Sequence, residues 1–122
     1  MITALIVDDE SDIRLLVRMI VETANHGLGV SGEAADGKEA LKMWRANPPV
    51  VVILDNRMPG LTGLEVAEQI LAEKPDQAII LFSAYLDRET IDHASRIGVK
   101  RCLDKTRIDQ LPGEMWALAD TA

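Results

Sequence analysis

The chain carries 122 residues, 48% of them hydrophobic, with a formal net charge of −7. That is enough for one domain with a proper core and too little for two, so residues 1–122 are expected to form a single domain. The acidic balance argues against direct nucleic-acid binding, which wants a basic face, and the one cysteine, Cys102, excludes an internal disulfide and a multi-cysteine metal site.

Residues 1–7 are apolar except for Thr3 and stop at Asp8-Asp9-Glu10. No basic leader precedes that run, and no apolar stretch approaches the ~20 residues needed to span a bilayer. A cytoplasmic protein with no membrane partner is therefore expected. The run itself reads as a buried strand ended by carboxylates. Ile13, Leu16, Val17, Ile20, Val21 and Ala24 then recur three and four apart, which predicts a helix with an inward face. Ser11 or Asp9 is its expected cap, with Glu10 and Asp12 in the first turn, and residues 25–29 end it. A less apolar second strand over 30–35 is placed nearer a sheet edge.

Asp36-Gly-Lys-Glu39 resembles a capping box and opens a helix through Ala40, Leu41 and Trp44, stopped by Pro48-Pro49. Residues 50–54 form an apolar run, mostly β-branched, that ends abruptly on Asp55. Such a run reads as a strand buried on both faces. Met58-Pro59-Gly60 cannot continue it, because Pro59 lacks a backbone N–H and Gly60 invites a turn. Thr62-Gly-Leu-Glu65 is a second capping box, opening a helix with Leu64, Ala67, Ile70 and Leu71 inward and Pro75 beyond its end. Residues 78–82 predict a fourth strand ending on Ser83-Ala84. Asp87 caps a helix with Ile91, Ala94 and Ile97 inward, closed by Gly98. Residues 99–103 predict a fifth strand ending on Asp104-Lys105. The last helix starts near Asp109, tolerates Pro112 only in its first turn, and turns Leu111, Met115 and Leu118 inward. Five strands alternating with five helices on short connections predict a doubly wound α/β sandwich with a parallel sheet.

Asp8, Asp9, Asp55, Ser83 and Lys105 all fall at predicted carboxyl ends of strands, the edge where open α/β sheets bind ligands. Each has a plainer reading alone. The Asp8-Asp9-Glu10 run favours a helix N-terminus, Asp55 and Ser83 suit turns, and Lys105 suits the surface. Together those readings require five coincidences at one edge. Three crowded carboxylates repel by ~4 kcal/mol per pair at ~4 Å and an effective dielectric of about 20. A hard divalent cation relieves this, and Mg²⁺ takes one or two carboxylates while keeping water. A carboxylate can then attack phosphorus, with Lys105 and Ser83 supplying positive charge and a donor to the phosphoryl oxygens.

Asp8-Asp9, Asp55 in Asp-x-Arg-Met-Pro-Gly, Ser83-Ala84 and Lys105, in that order, resemble the receiver domain of bacterial two-component response regulators. The resemblance covers essentially the whole chain. It implies a flavodoxin-like, three-layer (βα)5 sandwich with strand order 2-1-3-4-5. It implies a phosphoacceptor switch rather than an enzyme with an external substrate, catalysing only its own phosphorylation and dephosphorylation. Asp55 would be the phosphoacceptor. Asp9 and Asp55 would hold Mg²⁺ or Mn²⁺, with the Arg57 backbone carbonyl as a further ligand and Asp8 acting mainly through water. Ser83 and Lys105 would meet the phosphoryl group, and the small Ala84 would leave it approachable. Arg57 and Tyr85 flank the path of attacking water in such domains. Where the family usually has an aromatic on the fifth strand this chain has Cys102, and where it usually has Pro after the lysine this chain has Thr106. Tyr85 is therefore expected to carry more of the switch signal. The implied partners are a sensor histidine kinase or phosphotransfer protein and an output domain or target.

Two alternatives belong to other classes. One is a degenerate receiver that serves as a phosphorylation-independent docking or dimerisation module, motivated by Cys102 and Thr106. The other is a flavodoxin-like flavin binder, whose first loop would be rich in Ser, Thr and Gly rather than acidic. His26 and His93 read as exposed loop and helix residues without metal-ligand partners, Cys102 as a small buried filler, Trp44 as packing, and Trp116 as packing or a partner contact.

Overall fold

The computed structural model describes residues 1–24 and 27–120. Strands β1 (Ile2–Val7), β2 (Leu28–Ala34), β3 (Val51–Leu54), β4 (Ala78–Ser83) and β5 (Arg101–Asp104) alternate with helices α1 (Ser11–Thr23), α2 (Gly37–Ala46), α3 (Gly63–Glu73), α4 (Arg88–Ile97) and α5 (Leu111–Asp120). All pairings are parallel and the order is β2-β1-β3-β4-β5. The expected doubly wound sandwich and its strand order are both present.

The side-chain period of two divides the sheet between its faces. Leu5, Val7, Val52, Leu54, Ile79 and Leu81 join the core beneath α2, α3 and α4. Ala4, Ile6, Val51, Ile53, Ile80 and Phe82 join the core beneath α1 and α5. Each of these larger side chains, taken out of water, contributes about 1.5–3 kcal/mol before chain entropy is set against it. β3 and β4 are buried along their whole length, whereas the edge strand β5 keeps only Leu103 fully covered. Trp44 is buried and its indole N–H donates to Gln77 Oε1 at 2.9 Å, while the Gln77 amide donates to the Val50 and Ala78 carbonyls. Trp116 packs on the α1/α5 core.

The caps follow the sequence at α2, α3 and α4. Asp36 accepts from the Glu39 N–H, Thr62 and Glu65 form a reciprocal box, and Asp87 accepts from the Thr90 N–H. Gly98 closes α4 with a left-handed φ of 104°, a conformation that favours glycine.

Several expectations are corrected. At α1, Glu10 takes the cap position without a side-chain bond, and Ser11 is already helical. Asp8 Oδ1 accepts the Glu10 N–H at 2.9 Å, so the strand-ending carboxylate closes this turn before the helix begins. Leu16 and Ile91 are 48% and 41% exposed, because the sheet covers only a narrow strip of each helix. β2 starts earlier than expected, β5 starts later, at Arg101, and runs on to Asp104, and Lys105 opens a 3-10 turn (Lys105–Gln110). Asp104 caps that turn through the Thr106 N–H and hydroxyl. α5 accordingly begins at Leu111. Cys102 is half-buried rather than buried. His93 pairs with Glu68 at 3.0 Å across α3 and α4, and His26 lies outside the described residues. No helix among the described residues is long and apolar enough to cross a membrane.

Candidate functional site

Parallel register brings the strand ends level. Val7 pairs with Leu54, Leu54 with Leu81, and Ser83 with Asp104. The Asp55 N–H donates to the Val7 carbonyl at 2.9 Å, and the Asp8 N–H to Ala34 at 3.1 Å. The backbone thus holds both carboxylates at one edge, and their residues are only 2% (Asp8) and 3% (Asp55) exposed.

Lys105 joins them. Its ammonium lies 2.7 Å from Asp8 Oδ2 and 3.5 Å from Asp55 Oδ2. Asp8 Oδ2 is buried and makes no hydrogen bond of regular geometry, so the Lys105 charge is its partner. Asp55 Oδ1 accepts only a long bond, 3.3 Å, from the Arg57 N–H. Burial, and then the Asp8 charge, push the Asp55 carboxyl up to about 6, against the pull of Lys105 and the Arg57 N–H. Burial opposes the charge on Lys105, yet its contacts with Asp8 and Asp55 outweigh burial and raise its pKa.

Asp9 is exposed beside them. Ligand atoms of Asp8, Asp9 and Glu10 lie within 4.8 Å of one another. Glu10, read from sequence only as a helix-start residue, therefore joins the acidic group, while Asp55 stands outside that mutual set and is tied to it through Lys105. Two carboxylates face the one ammonium, two more lie beside Asp8, and one buried carboxylate oxygen lacks a hydrogen bond. That donor set fits a hard divalent cation. A cleft of about 590 Å³ opens beside Asp9, walled by Asp36, Lys38, Pro59 and Leu61.

The remaining expected residues surround this centre. Ser83 is buried, and its hydroxyl is engaged with its own loop, accepting from the Tyr85 N–H at 3.3 Å and donating to the Tyr85 carbonyl at 3.4 Å. Ala84 is exposed. The Arg57 guanidinium lies 4.4 Å from the centre of the exposed Tyr85 ring, a cation–π contact between the two loops. Cys102 sits apart, packed against the α2/α3/α4 core, with burial raising its thiol pKa.

Two residues were not singled out from the sequence. Arg14 donates to the Asp8 carbonyl at 2.7 Å and to Glu33 at 3.3 Å. Asn56 accepts the Gly63 N–H on its carbonyl and the Leu64 N–H on its side chain. Arg14 left one trace, a cation placed between the inward-facing Ile13 and Val17. Asn56 left none beyond its place in a turn.

Comparison with known proteins gives a consistent result. A match to the family described as response regulator receiver domain spans residues 4–113. The response regulator UvrY of Escherichia coli K12 is 34% identical over 105 residues, which is 86% of this chain and 48% of that protein. The chain thus spans about half the length of that relative. The chemotaxis protein CheY of Thermotoga maritima is 32% identical over 96 residues, covering 79% of this chain and 78% of that one. Among solved structures, the Thermotoga maritima response regulator TrrA in complex with Mg²⁺ and BeF superposes with a TM-score of 0.84 at 34% identity, over 97% of this chain and 99% of that one.

Proposed function

Because this chain belongs to the response regulator receiver domain family, we propose that it is a phosphorylation switch in which Asp55 accepts the phosphoryl group. One observation carries the reading: one half-buried ammonium, Lys105, bridges two buried carboxylates, Asp8 and Asp55, at the sheet's carboxyl edge. This arrangement is poised for a charge exchange. An ionised Asp55 oxygen attacks phosphorus, and the bond from phosphorus to the donor's nitrogen or oxygen breaks with its electron pair leaving on the donor. Lys105 then follows the charge from the carboxylates onto a phosphoryl oxygen. Ser83 gives up its bonds to the Tyr85 backbone and donates to a second oxygen.

Asp9 and Asp55, with the Arg57 carbonyl and with Asp8 through water, would hold Mg²⁺ or Mn²⁺. When bound, the ion supplies neutralising charge to the transferring oxygens. A sensor histidine kinase or phosphotransfer protein in the cytoplasm would be the donor. An output domain or separate target would read the change through its differing affinity for two conformations.

The docking-only alternative draws on Cys102 and Thr106. The intact Asp8–Lys105–Asp55 contact weighs against it. Titration with Mg²⁺ and beryllofluoride, followed by NMR, separates the two readings. The switch reading expects saturable shifts around Asp55, Ser83 and Lys105 that require both components. No shift at saturating beryllofluoride would leave the docking module standing.

A further inference from the structure

We infer that Asn56 is a positioning residue for the phosphoacceptor loop, locking it to the N-terminus of α3; this rests on the phosphoacceptor reading above. A helix leaves its first backbone N–H groups without partners inside the helix. In α3 the first three are all taken. Gly63 donates to the Asn56 carbonyl at 2.9 Å, Leu64 to Asn56 Oδ1 at 3.0 Å, and Glu65 to the cap Thr62 at 3.2 Å. Asn56 alone receives two of the three, from a position seven residues before the helix begins.

The fit is close. A Cβ on Gly63 would collide with the Asp55 carbonyl oxygen and stand 2.7 Å from Asn56 Cα. The helix end is therefore pressed flat on the Asp55–Asn56 backbone. Every neighbouring anchor is also fixed. The Asp55 N–H is tied to Val7, the Arg57 N–H to Asp55 Oδ1, and Met58 is buried in the core. The short segment bearing the Asp55 carboxylate and the Arg57 carbonyl is held from both sides, and Asn56 is the only one of its side chains bonded to α3 among the described residues.

Thr62 supplies the control. It caps the same helix one N–H further along, its hydroxyl accepting from the Glu65 N–H of the helix itself rather than bonding to the Asp55–Arg57 segment. Replacing either side chain by alanine removes one α3 cap, so a role confined to helix stability predicts a lower melting temperature and unchanged Mn²⁺ binding by the folded protein in both variants. A positioning role predicts a split. The probe is Mn²⁺ alone, its binding read by electron paramagnetic resonance, alongside thermal melts of each variant. Asn56→Ala is expected to weaken Mn²⁺ binding about tenfold, the usual cost of removing a group that orients a metal ligand, while Thr62→Ala stays within about twofold of wild type at a similar melting temperature.

Equal Mn²⁺ affinities for the two variants would overturn the inference. If Asn56→Ala does not fold, Asn56→Ser, whose acceptor is shorter, carries the same expectation. Failure of both to fold while Thr62→Ala folds would assign Asn56 to stability alone and overturn it too. The phosphoacceptor reading fails separately, on the wild type, if acetyl phosphate does not label Asp55.

Discussion

Asp55→Asn is expected to stabilise the metal-free protein at neutral pH. Burial and the nearby Asp8 raise the Asp55 carboxyl from 3.8 to about 6 on folding. A carboxyl whose folded pKa lies above its unfolded value binds its proton more tightly in the native state. Ionising it therefore costs stability. The cost is absent below the unfolded pKa, grows as pH rises between about 4 and 6, and is complete above that. A rise of about two units at about 1.4 kcal/mol each sets an upper bound of about 3 kcal/mol, and relaxation of the surroundings around a newly formed charge brings this to about 1–2 kcal/mol. Asparagine keeps the shape and removes the charge. Lys105 loses its longer contact, 3.5 Å, and retains Asp8 at 2.7 Å. In EDTA at pH 7.5 the variant should melt about 3–8 °C above wild type, and the gain should vanish toward pH 4. Circular dichroism melts of both proteins across that range make the test. A variant that melts lower at pH 7.5, or whose gain persists undiminished at pH 4, refutes the reasoning.

Lys105→Ala leaves two buried carboxylates facing each other and should cost about 2–4 kcal/mol at pH 7.5, with less lost at pH 4, where Asp55 is protonated; urea melts at the two pH values read the difference, and an equal loss at both contradicts it. Gly63→Ala should destabilise by at least about 2 kcal/mol, since its Cβ meets backbone rather than a movable side chain; an unchanged urea midpoint would show that α3 can slide. Arg57→Ala and Tyr85→Ala should each speed loss of the phosphoryl group, and the double variant should add little to either single one, because the two side chains rest on each other and removing one frees the other. Dephosphorylation followed by intact mass checks this, and an unchanged rate in the double variant contradicts it.

The alternation of apolar runs and helical periods was enough to read the layers, because burial on both faces of β3 and β4 leaves no polar residue before the closing Ser83 of β4. The strand order was not in that pattern; it came from the resemblance, and the parallel register bears it out. Asp8 and Asp55 were legible because each ends an apolar run, and Lys105 because it follows the last predicted strand; a parallel sheet brings such ends together. Loop closure was harder to read. Glu10 stands at the start of α1 because Asp8 already closes the turn, and Asn56 caps a helix seven residues away, a contact that no local spacing encodes. The exposure of Leu16 and Ile91 shows a further limit: a period of 3.6 residues sets the direction of a helix face but not its width.

Asp55 is proposed to take a phosphoryl group in a reaction that needs a divalent ion. Intact-mass spectrometry of the protein incubated with acetyl phosphate tests it most directly. With Mg²⁺ a single base-labile phosphoryl adduct should form on the wild type, and it should be absent in excess EDTA and absent from Asp55→Asn. An adduct that persists in Asp55→Asn, or forms equally well in EDTA, would contradict the account.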